Sequence, residues 1–251
     1  MKAYQCVILG SGYFSFGYAA SHKDVLIVEE TQLADPHFGG TLSSYAVKDI
    51  TPSADGARAL YRVMCDEGLV DGLRISVNEL ESAFCRFFEK DMPNILLGTF
   101  CTEVQRREDG YLLTLCNNEG LSHVFAKRII DNRLKCGNRL GILVYLPEGK
   151  EPILKPTKGM SANIEPAFFE DQRLITLTFG GDINENQAKQ RALAVIEDGL
   201  RAVGGKVLQM SYRLGGEPEH LPYEEDGILY VSEIAFGDVF TAYEKGETWA
   251  W

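Results

Sequence analysis

The sequence predicts an α/β protein built on a parallel sheet, and three observations predict that class. A short apolar run at residues 6–9 ends in Gly10 and is followed at once by a helical segment. A second apolar run comes directly after that segment, at residues 24–28. Farther along, short alternating stretches and one long amphipathic helix follow. Apolar runs that alternate with helices are typical of parallel strands covered by helices.

The spacing of apolar residues predicts the elements of the first half. Helical spacing predicts three helices, at residues 13–21, 57–65 and 79–88. From residue 94 the pattern changes to short strands, at residues 95–97, 103–107, 111–116 and 123–130. Turn sequences such as Glu108-Asp109-Gly110 join these strands, so we expect a β-hairpin insertion in the sheet.

The second half is expected to contain a smaller α+β domain. It begins with a loop at residues 147–159, which is rich in Gly, Pro and Lys. The elements predicted after it are a strand at 173–179, a helix at 184–203, strands at 207–212 and 228–231, and a final helix at 239–249. We therefore predict one domain from residues 1–132 plus 226–251, and a smaller substrate or interaction domain at 133–225.

Composition and charge exclude several classes of function. The chain has 251 residues, 45% of them hydrophobic, and a formal net charge of -11 that opposes binding to nucleic acid. The four histidines lack metal-ligand spacing, and the six cysteines contain no C-x-x-C pair. Cysteines among apolar neighbours are typical of reduced, buried thiols. With no signal-peptide pattern and no apolar run of membrane-spanning length, we expect a cytoplasmic protein without a membrane partner.

A glycine-rich turn carries the main functional prediction. Gly10-Ser11-Gly12 follows the first strand and opens a helix, with the small Ser15 three residues on. Gly10 permits the tight turn, and Gly12 lets the backbone approach a pyrophosphate at the helix N-terminus. Glu29 ends the second strand, where an acid accepts hydrogen bonds from an adenosine ribose. A plain strand-to-helix turn explains the glycines alone; the terminal acid favours a nucleotide site.

These residues resemble the two-dinucleotide-binding-domain flavoproteins, the broad family of FAD-dependent oxidoreductases. Phe38-Gly39-Gly40-Thr41 is similar to the family's Gly-Gly turn, and the hairpin at residues 102–116 is similar to its β-hairpin insertion. Residues 125–131 and 227–238 are similar to the strand before the family's A-T-G turn and to its closing strand and helix.

The resemblance implies a Rossmann-like FAD/NAD(P)-binding sheet and FAD as the cofactor. It implies that Gly10, Gly12 and Ser15 flank the pyrophosphate and that Glu29 accepts from the ribose. It further implies that Gly39 and Gly40 line the phosphate channel and that the backbone at Val104 meets the adenine. Hydride would then pass between a small-molecule substrate and the flavin.

Four departures from the family pattern motivate a second hypothesis. The first helix is about one turn short, and Asp131-Asn132-Arg133 stands where A-T-G or G-D-G would lie. No arginine precedes Phe38-Gly39-Gly40, and Ser232-Glu233 replaces the expected glycine and acid beside the pyrophosphate. A glutamate there would repel phosphate unless it turns away. The alternative is a flavin-free descendant that acts as a binding or assembly module.

A third reading, an NAD(P)-dependent reductase, is disfavoured because a simple dehydrogenase needs no hairpin at residues 102–116. No catalytic side chain is identified, since a flavin would supply the redox chemistry. His37 and His220 are conceivable acid/base groups and Cys136 a conceivable thiol near a flavin, but exposed loop histidines and a structural cysteine are the favoured interpretations. The aromatic C-terminal segment is compatible with helix packing or a homo-oligomer contact.

Overall fold

The computed structural model describes residues 1–42, 52–72, 74–133, 137–216 and 222–250. Its strands are β1 (Lys2–Leu9), β2 (Val25–Val28), β3 (Val70–Asp71), β4 (Arg74–Ile75), β5 (Ile95–Leu96), β6 (Phe100–Arg107), β7 (Gly110–Asn117), β8 (Gly120–Asp131), β9 (Arg139–Tyr145), β10 (Met160–Pro166), β11 (Gln172–Phe179), β12 (Lys206–Met210), β13 (Tyr223–Glu225) and β14 (Ile228–Tyr230). Its helices are α1 (Tyr13–Ser21), α2 (Asp55–Asp66), α3 (Leu80–Phe87), α4 (Glu185–Arg201) and α5 (Val239–Thr248), with a 3-10 turn, η1 (Glu233–Phe236).

The larger sheet of the described residues places the ends of three parallel strands side by side. Its main path runs β13-β14-β8-β1-β2-β5, and β6 and β7 extend β8 as an antiparallel meander. β1 lies between β2 and β8 and is parallel to both, with Leu9 opposite Val28 on one side and Asp131 on the other. The residues that follow these three positions therefore meet at the carboxyl edge of the sheet, where α/β proteins bind ligands.

The smaller sheet has its own apolar core. Its order is β10-β11-β9-β12, all antiparallel, and α4 covers one face. Asn184 and Gln187 form a capping box at the start of α4, and alanines and large aliphatic residues of the helix pack onto β9 and β11. The opposite face of this sheet turns toward the Thr41–Leu42 segment of the larger domain.

Two glycines allow α1 and α5 to cross at backbone contact. A Cβ on Gly17 would lie 2.1 Å from the Tyr243 carbonyl oxygen, and one on Gly246 would lie 2.0 Å from the Phe14 carbonyl oxygen. Such distances are far inside van der Waals contact, so neither position accepts a side chain without moving a helix. The crossing fixes α5, and with it the preceding turn η1, against the start of α1.

The structure corrects part of the predicted order of elements. β9 and β10 were not predicted, and β8 begins three residues before the predicted start at residue 123. The alternation in β10 and the apolar run Leu140–Val144 are the signals that would have found them. β13 pairs with β14, so the chain rejoins the larger sheet at Tyr223.

Among the described residues, no helix has both the length and the apolar character that a membrane crossing requires.

Candidate functional site

The glycine-rich turn lies at the carboxyl edge of β1 and is buried. Gly10 and Gly12 have φ angles of 93° and 143°, a region that favours glycine. Every residue from Cys6 to Tyr18 is buried. A Cβ on Gly10 would lie 2.4 Å from the Asn132 carbonyl oxygen, so the segment after β8 rests directly on the turn. The segment after β8 therefore covers the Gly10 side of the turn.

The Glu233 carboxyl group occupies the N-terminus of α1. Its Oε2 accepts hydrogen bonds from the Phe14 backbone N–H at 3.0 Å and from Asn132 Nδ2 at 3.1 Å. A Cβ on Gly12 would lie 2.2 Å from Glu233 Oε1, and Glu233 is 0% exposed. The free N–H groups and dipole of a helix N-terminus favour an oxyanion at this point. The carboxyl group therefore stands where the sequence analysis expected pyrophosphate.

Burial decides the acid–base properties of Glu233. Desolvation raises the pKa of its carboxyl group well above the usual range, and the nearby Asp35 carboxyl adds to that rise. The Asn132 amide and the backbone of Phe14 and Tyr13 oppose it, because they stabilise the ionised form.

Asn132 connects three segments around this carboxyl group. Its Nδ2 donates to Ser15 Oγ at 2.9 Å as well as to Glu233, and Ser15 Oγ donates to the Gly10 carbonyl at 2.8 Å. Its backbone N–H donates to the Leu9 carbonyl at 2.7 Å. Asn132 and Ser15 are both fully buried. The predicted pyrophosphate residue Ser15 thus takes part in an internal network that ties the end of β8 to α1 and η1.

Glu29, the predicted ribose acceptor, is bonded to its own chain. Its Oε2 accepts from the Ser11 backbone N–H at 2.8 Å and from Ser11 Oγ at 3.2 Å. Its Oε1 accepts from the Thr31 N–H at 2.8 Å, and the residue is 4% exposed. Both carboxylate oxygens therefore already have donors, and the side chain has little contact with solvent.

An ion-pair bridge crosses the sheet edge beside the turn. Arg133 Nε and Nη2 donate to the Asp131 carboxylate at 3.0 and 2.5 Å, and Nη1 lies 3.8 Å from Glu30 Oε1. The hydrogen bonds to Asp131 raise the pKa of Arg133 above its usual range, with burial opposing the rise. The guanidinium thus spans the ends of β8 and β2, on the side where the adenosine of a dinucleotide was expected.

The predicted Gly-Gly turn meets the smaller domain. The Gly40 carbonyl accepts hydrogen bonds from the backbone N–H groups of Tyr212 and Arg213 at 2.8 and 3.2 Å. The Gly39 N–H donates to Asp35 Oδ2 at 2.7 Å. Burial, and secondly the nearby Glu81 carboxylate, raise the pKa of Asp35 to about 7.

The other predicted site residues lie apart from the hydrogen-bond network around Glu233, or lie outside the residues that the structure describes. Val104 lies in β6 opposite Leu113, in the outer strand of the hairpin, and is 37% exposed. His37 corrects the expectation of an exposed loop histidine, because it is 1% exposed and burial lowers its pKa to about 4. His220 and Cys136 lie outside the described residues. Among described residues, no group of three or more His, Cys, Asp or Glu is arranged to hold a metal ion.

A cleft separates the Thr41–Leu42 segment from the open face of the smaller sheet. Its volume is about 200 Å³. Polar side chains predominate in its lining: Thr41, Arg139, Asn163, Glu165, Thr176 and Thr178. This cleft was not predicted from the sequence, because its walls come from β9, β10 and β11, and two of these strands were not predicted.

Comparisons with known proteins identify the fold. No family model and no curated protein sequence matches the chain. Among solved structures, it is similar to NikD, an unusual amino acid oxidase essential for nikkomycin biosynthesis, with a TM-score of 0.59 and 13% identity over 98% of this chain and 93% of that one. It is also similar to OxyS anhydrotetracycline hydroxylase from Streptomyces rimosus, with a TM-score of 0.58 and 15% identity over 91% of this chain.

A third similar structure is a ternary complex of aklavinone-11 hydroxylase with FAD and aklavinone, with a TM-score of 0.51 and 12% identity over 91% of this chain. The chain spans 56% of the length of each of these two hydroxylases. Identities this low show the fold alone. The predicted fold class is confirmed: the chain has the Rossmann-like fold of flavin-dependent oxidoreductases, with a second sheet domain.

Proposed function

We propose that this chain uses the flavoprotein fold without a flavin, as a module that binds a small polar molecule. The observation that carries the proposal is the position of Glu233, whose buried carboxyl group accepts the Phe14 N–H at the start of α1. The residues of the expected cofactor site do not fit FAD as they stand, because this carboxyl group fills the space beside Gly12.

The size of the conflict follows from elementary electrostatics. An ionised Glu233 about 4 Å from a phosphate charge would repel it by about 4 kcal/mol at an effective dielectric of about 20. A neutral Glu233 would avoid that repulsion but would still fill the space. The buried Glu29 and the Arg133 bridge add two further obstacles on the adenosine side.

The cleft between the two domains is the proposed binding place. A volume of about 200 Å³ suits a molecule smaller than those held in drug-sized sites of about 300–1,000 Å³. Thr176, Thr178 and Asn163 are among the residues that line it, and side chains of these types donate and accept hydrogen bonds, so a ligand with several hydrogen-bonding groups is favoured. Thermal unfolding with a panel of amino acids, short dicarboxylates and sugars would identify such a ligand. Its stabilising effect should be lost in Thr176→Val and kept in the exposed-hairpin control Thr114→Val.

A second candidate is an FAD-dependent oxidoreductase that passes a hydride between a small substrate and flavin. The fold favours it, since one of the similar structures holds FAD. Gly10, Gly12, Ser15, Glu29 and the Gly39–Gly40 turn would then line the cofactor, as the sequence resemblance implies. Glu233 would first have to leave the start of α1.

An absorption spectrum of the purified full chain separates the two candidates. We expect no flavin absorbance, and none after unfolding and refolding in excess FAD followed by desalting. The refolding step excludes loss of a flavin during purification. A spectrum with stoichiometric flavin, before or after refolding, would contradict the flavin-free proposal and support the oxidoreductase.

A further inference from the structure

We propose that the cleft between the two domains takes a polyhydroxylated amine, such as an amino sugar of one ring, and that Glu165 selects its ammonium group. The inference deepens the proposed function and rests on it, since it names the chemical class of the ligand in the same cleft. Glucosamine and glucose are the probes. They differ in one ring substituent, which is an ammonium group in the first sugar and a hydroxyl group in the second.

The strand register places the polar side chains of the cleft on one face of the smaller sheet. Thr176 of the inner strand β11 lies opposite Asn163 of the edge strand β10, and Leu174 lies opposite Glu165. Residues two apart on a strand share a face, so Thr178 lies beside Thr176 on the same side. The alternate residues of β11 pack against α4 on the other face. Hydroxyl, amide and carboxylate groups are therefore neighbours on the cleft wall.

The two threonine hydroxyl groups of this wall are available to a ligand. Thr176 and Thr178 are half-buried, and in the part of the chain that the structure describes neither side chain forms a hydrogen bond. A hydroxyl group can donate one hydrogen bond and accept others. A ligand with hydroxyl groups satisfies both functions, whereas an apolar ligand would displace water from them without replacing its hydrogen bonds.

Glu165 brings a negative charge to the rim of the cleft. Its side chain is exposed, its Oε1 accepts a hydrogen bond from Asn163 Nδ2 at 2.7 Å, and it forms no ion pair with any residue that the structure describes. Arg139, which also lines the cleft, lies two strands away and four residues along the sheet. Strand geometry makes these separations about 10 Å and about 14 Å. The carboxylate is therefore placed to pair with a cation that the ligand supplies.

The spacing of these groups fits a ligand of one ring. The Cα atoms of Glu165 and Thr176 are about 8 Å apart, from one strand spacing of about 4.8 Å and two residue steps of about 3.4 Å. The two side chains take up part of that distance, so their polar ends can reach substituents of one small ring. The cleft volume of about 200 Å³ lies below the range of about 300–1,000 Å³ for drug-sized ligands, which favours one ring over two.

The selection for the ammonium group should be modest because Glu165 is exposed. Ion pairs in contact with water contribute little to binding, so we expect glucosamine to bind about two- to fivefold more tightly than glucose. Added salt should reduce this preference, since it screens exposed charges. The affinity for glucose itself should not depend on salt in the same way, because the sugar carries no charge.

The test measures both dissociation constants by NMR chemical-shift titration of the isotope-labelled full chain, with equal chloride in the two series. The pH is about 6, below the pKa of about 8 that is typical of an α-amino group, so that the sugar amine is charged. Wild type should show the preference for glucosamine, with shifts in β10 and β11. Glu165→Gln keeps the shape of the side chain and removes its charge, so it should bind the two sugars equally. The matched control, Glu170→Gln, removes an exposed carboxylate outside the cleft lining and should keep the preference.

The outcomes separate this inference from the proposed function. Equal binding of the two sugars to wild type, or a preference that persists in Glu165→Gln, overturns the inference and leaves a cleft for polar ligands. Failure of both sugars to bind also overturns the inference. The proposed function then fails only if the panel of amino acids, dicarboxylates and sugars leaves the unfolding midpoint unchanged. Flavin bound to the wild-type chain would refute the proposed function whichever sugar binds.

Discussion

Replacing Gly12 with alanine should destabilise the protein mainly by expelling the Glu233 carboxyl group. The new Cβ would lie 2.2 Å from Oε1, so one of the two groups must move. The loss would leave the Phe14 N–H and one of the two Asn132 Nδ2 hydrogens without an acceptor, at about 1–3 kcal/mol for each buried group. The backbone at φ 143° and ψ −176° lies in a region that is essentially restricted to glycine, which adds a cost of about 1–3 kcal/mol for alanine.

The same substitution should cost much less once Glu233 is alanine, because only the backbone cost remains. The double-mutant cycle of Gly12→Ala and Glu233→Ala should therefore show a coupling of about 2–6 kcal/mol, with the double variant more stable than additivity predicts. Urea unfolding followed by tryptophan fluorescence measures it. Trp249 packs edge-on against Phe14, 5.9 Å between ring centroids, and reports on the region concerned.

The control is Gly120→Ala, where φ is 113° and a Cβ would meet no atom within 4 Å. It should show a backbone cost of about 1–3 kcal/mol and no coupling to Glu233→Ala. Additive effects of Gly12→Ala and Glu233→Ala, within about 0.5 kcal/mol, would refute the reasoning, since they would place the carboxyl group away from Gly12 in solution.

Three further predictions use the same unfolding measurement. Gly246→Ala should destabilise the protein by about 1–3 kcal/mol or more, although alanine has the better helix propensity, because its Cβ would lie 2.0 Å from the Phe14 carbonyl oxygen. An unchanged unfolding midpoint would contradict the close packing of α1 against α5. Asp35 has a folded pKa of about 7, above its usual 3.8, so the free energy of unfolding of wild type should fall by about 4 kcal/mol as the pH rises from about 4 to 7. Asp35→Asn should weaken this pH dependence, and an equal pH dependence in the variant would exclude Asp35 as its source. Arg133→Ala should lower the free energy of unfolding by about 0–1 kcal/mol, since the Arg133 side chain of this ion pair is 41% exposed; a larger loss would show that the bridge holds the sheet edge together.

The first βαβ unit was predictable because its signals are local. Four apolar residues ending in Gly10 specify a buried strand and a tight turn, and Glu29 marks the end of the next strand. β9 was missed because Gly141 interrupts its apolar run. That glycine is needed where β9 passes the Thr41 carbonyl, which a Cβ would approach to 2.6 Å. The sequence shows this glycine within the apolar run, but it does not show the contact with a segment a hundred positions away that requires it.

The sequence indicated which residues at the expected dinucleotide site were unusual, but it did not indicate how they are arranged. Glu233 and Asn132 stood out as departures from the family pattern, but a pattern does not tell which way a side chain points. The direction of Glu233 is set by η1 and by the crossing of α1 and α5 at Gly17 and Gly246, which bring distant residues together. The sequence resemblance to flavoproteins therefore predicted the fold, whereas its cofactor-site residues stay a prediction.

Calorimetric titration of FAD into the refolded wild-type chain tests the central claim most directly. The claim is that the carboxyl group of Glu233, and not a dinucleotide phosphate, occupies the start of α1. We predict no heat of binding beyond dilution at FAD concentrations well above those of the protein. A saturable isotherm with one FAD per chain would contradict it, because the cofactor could then bind only with Glu233 displaced.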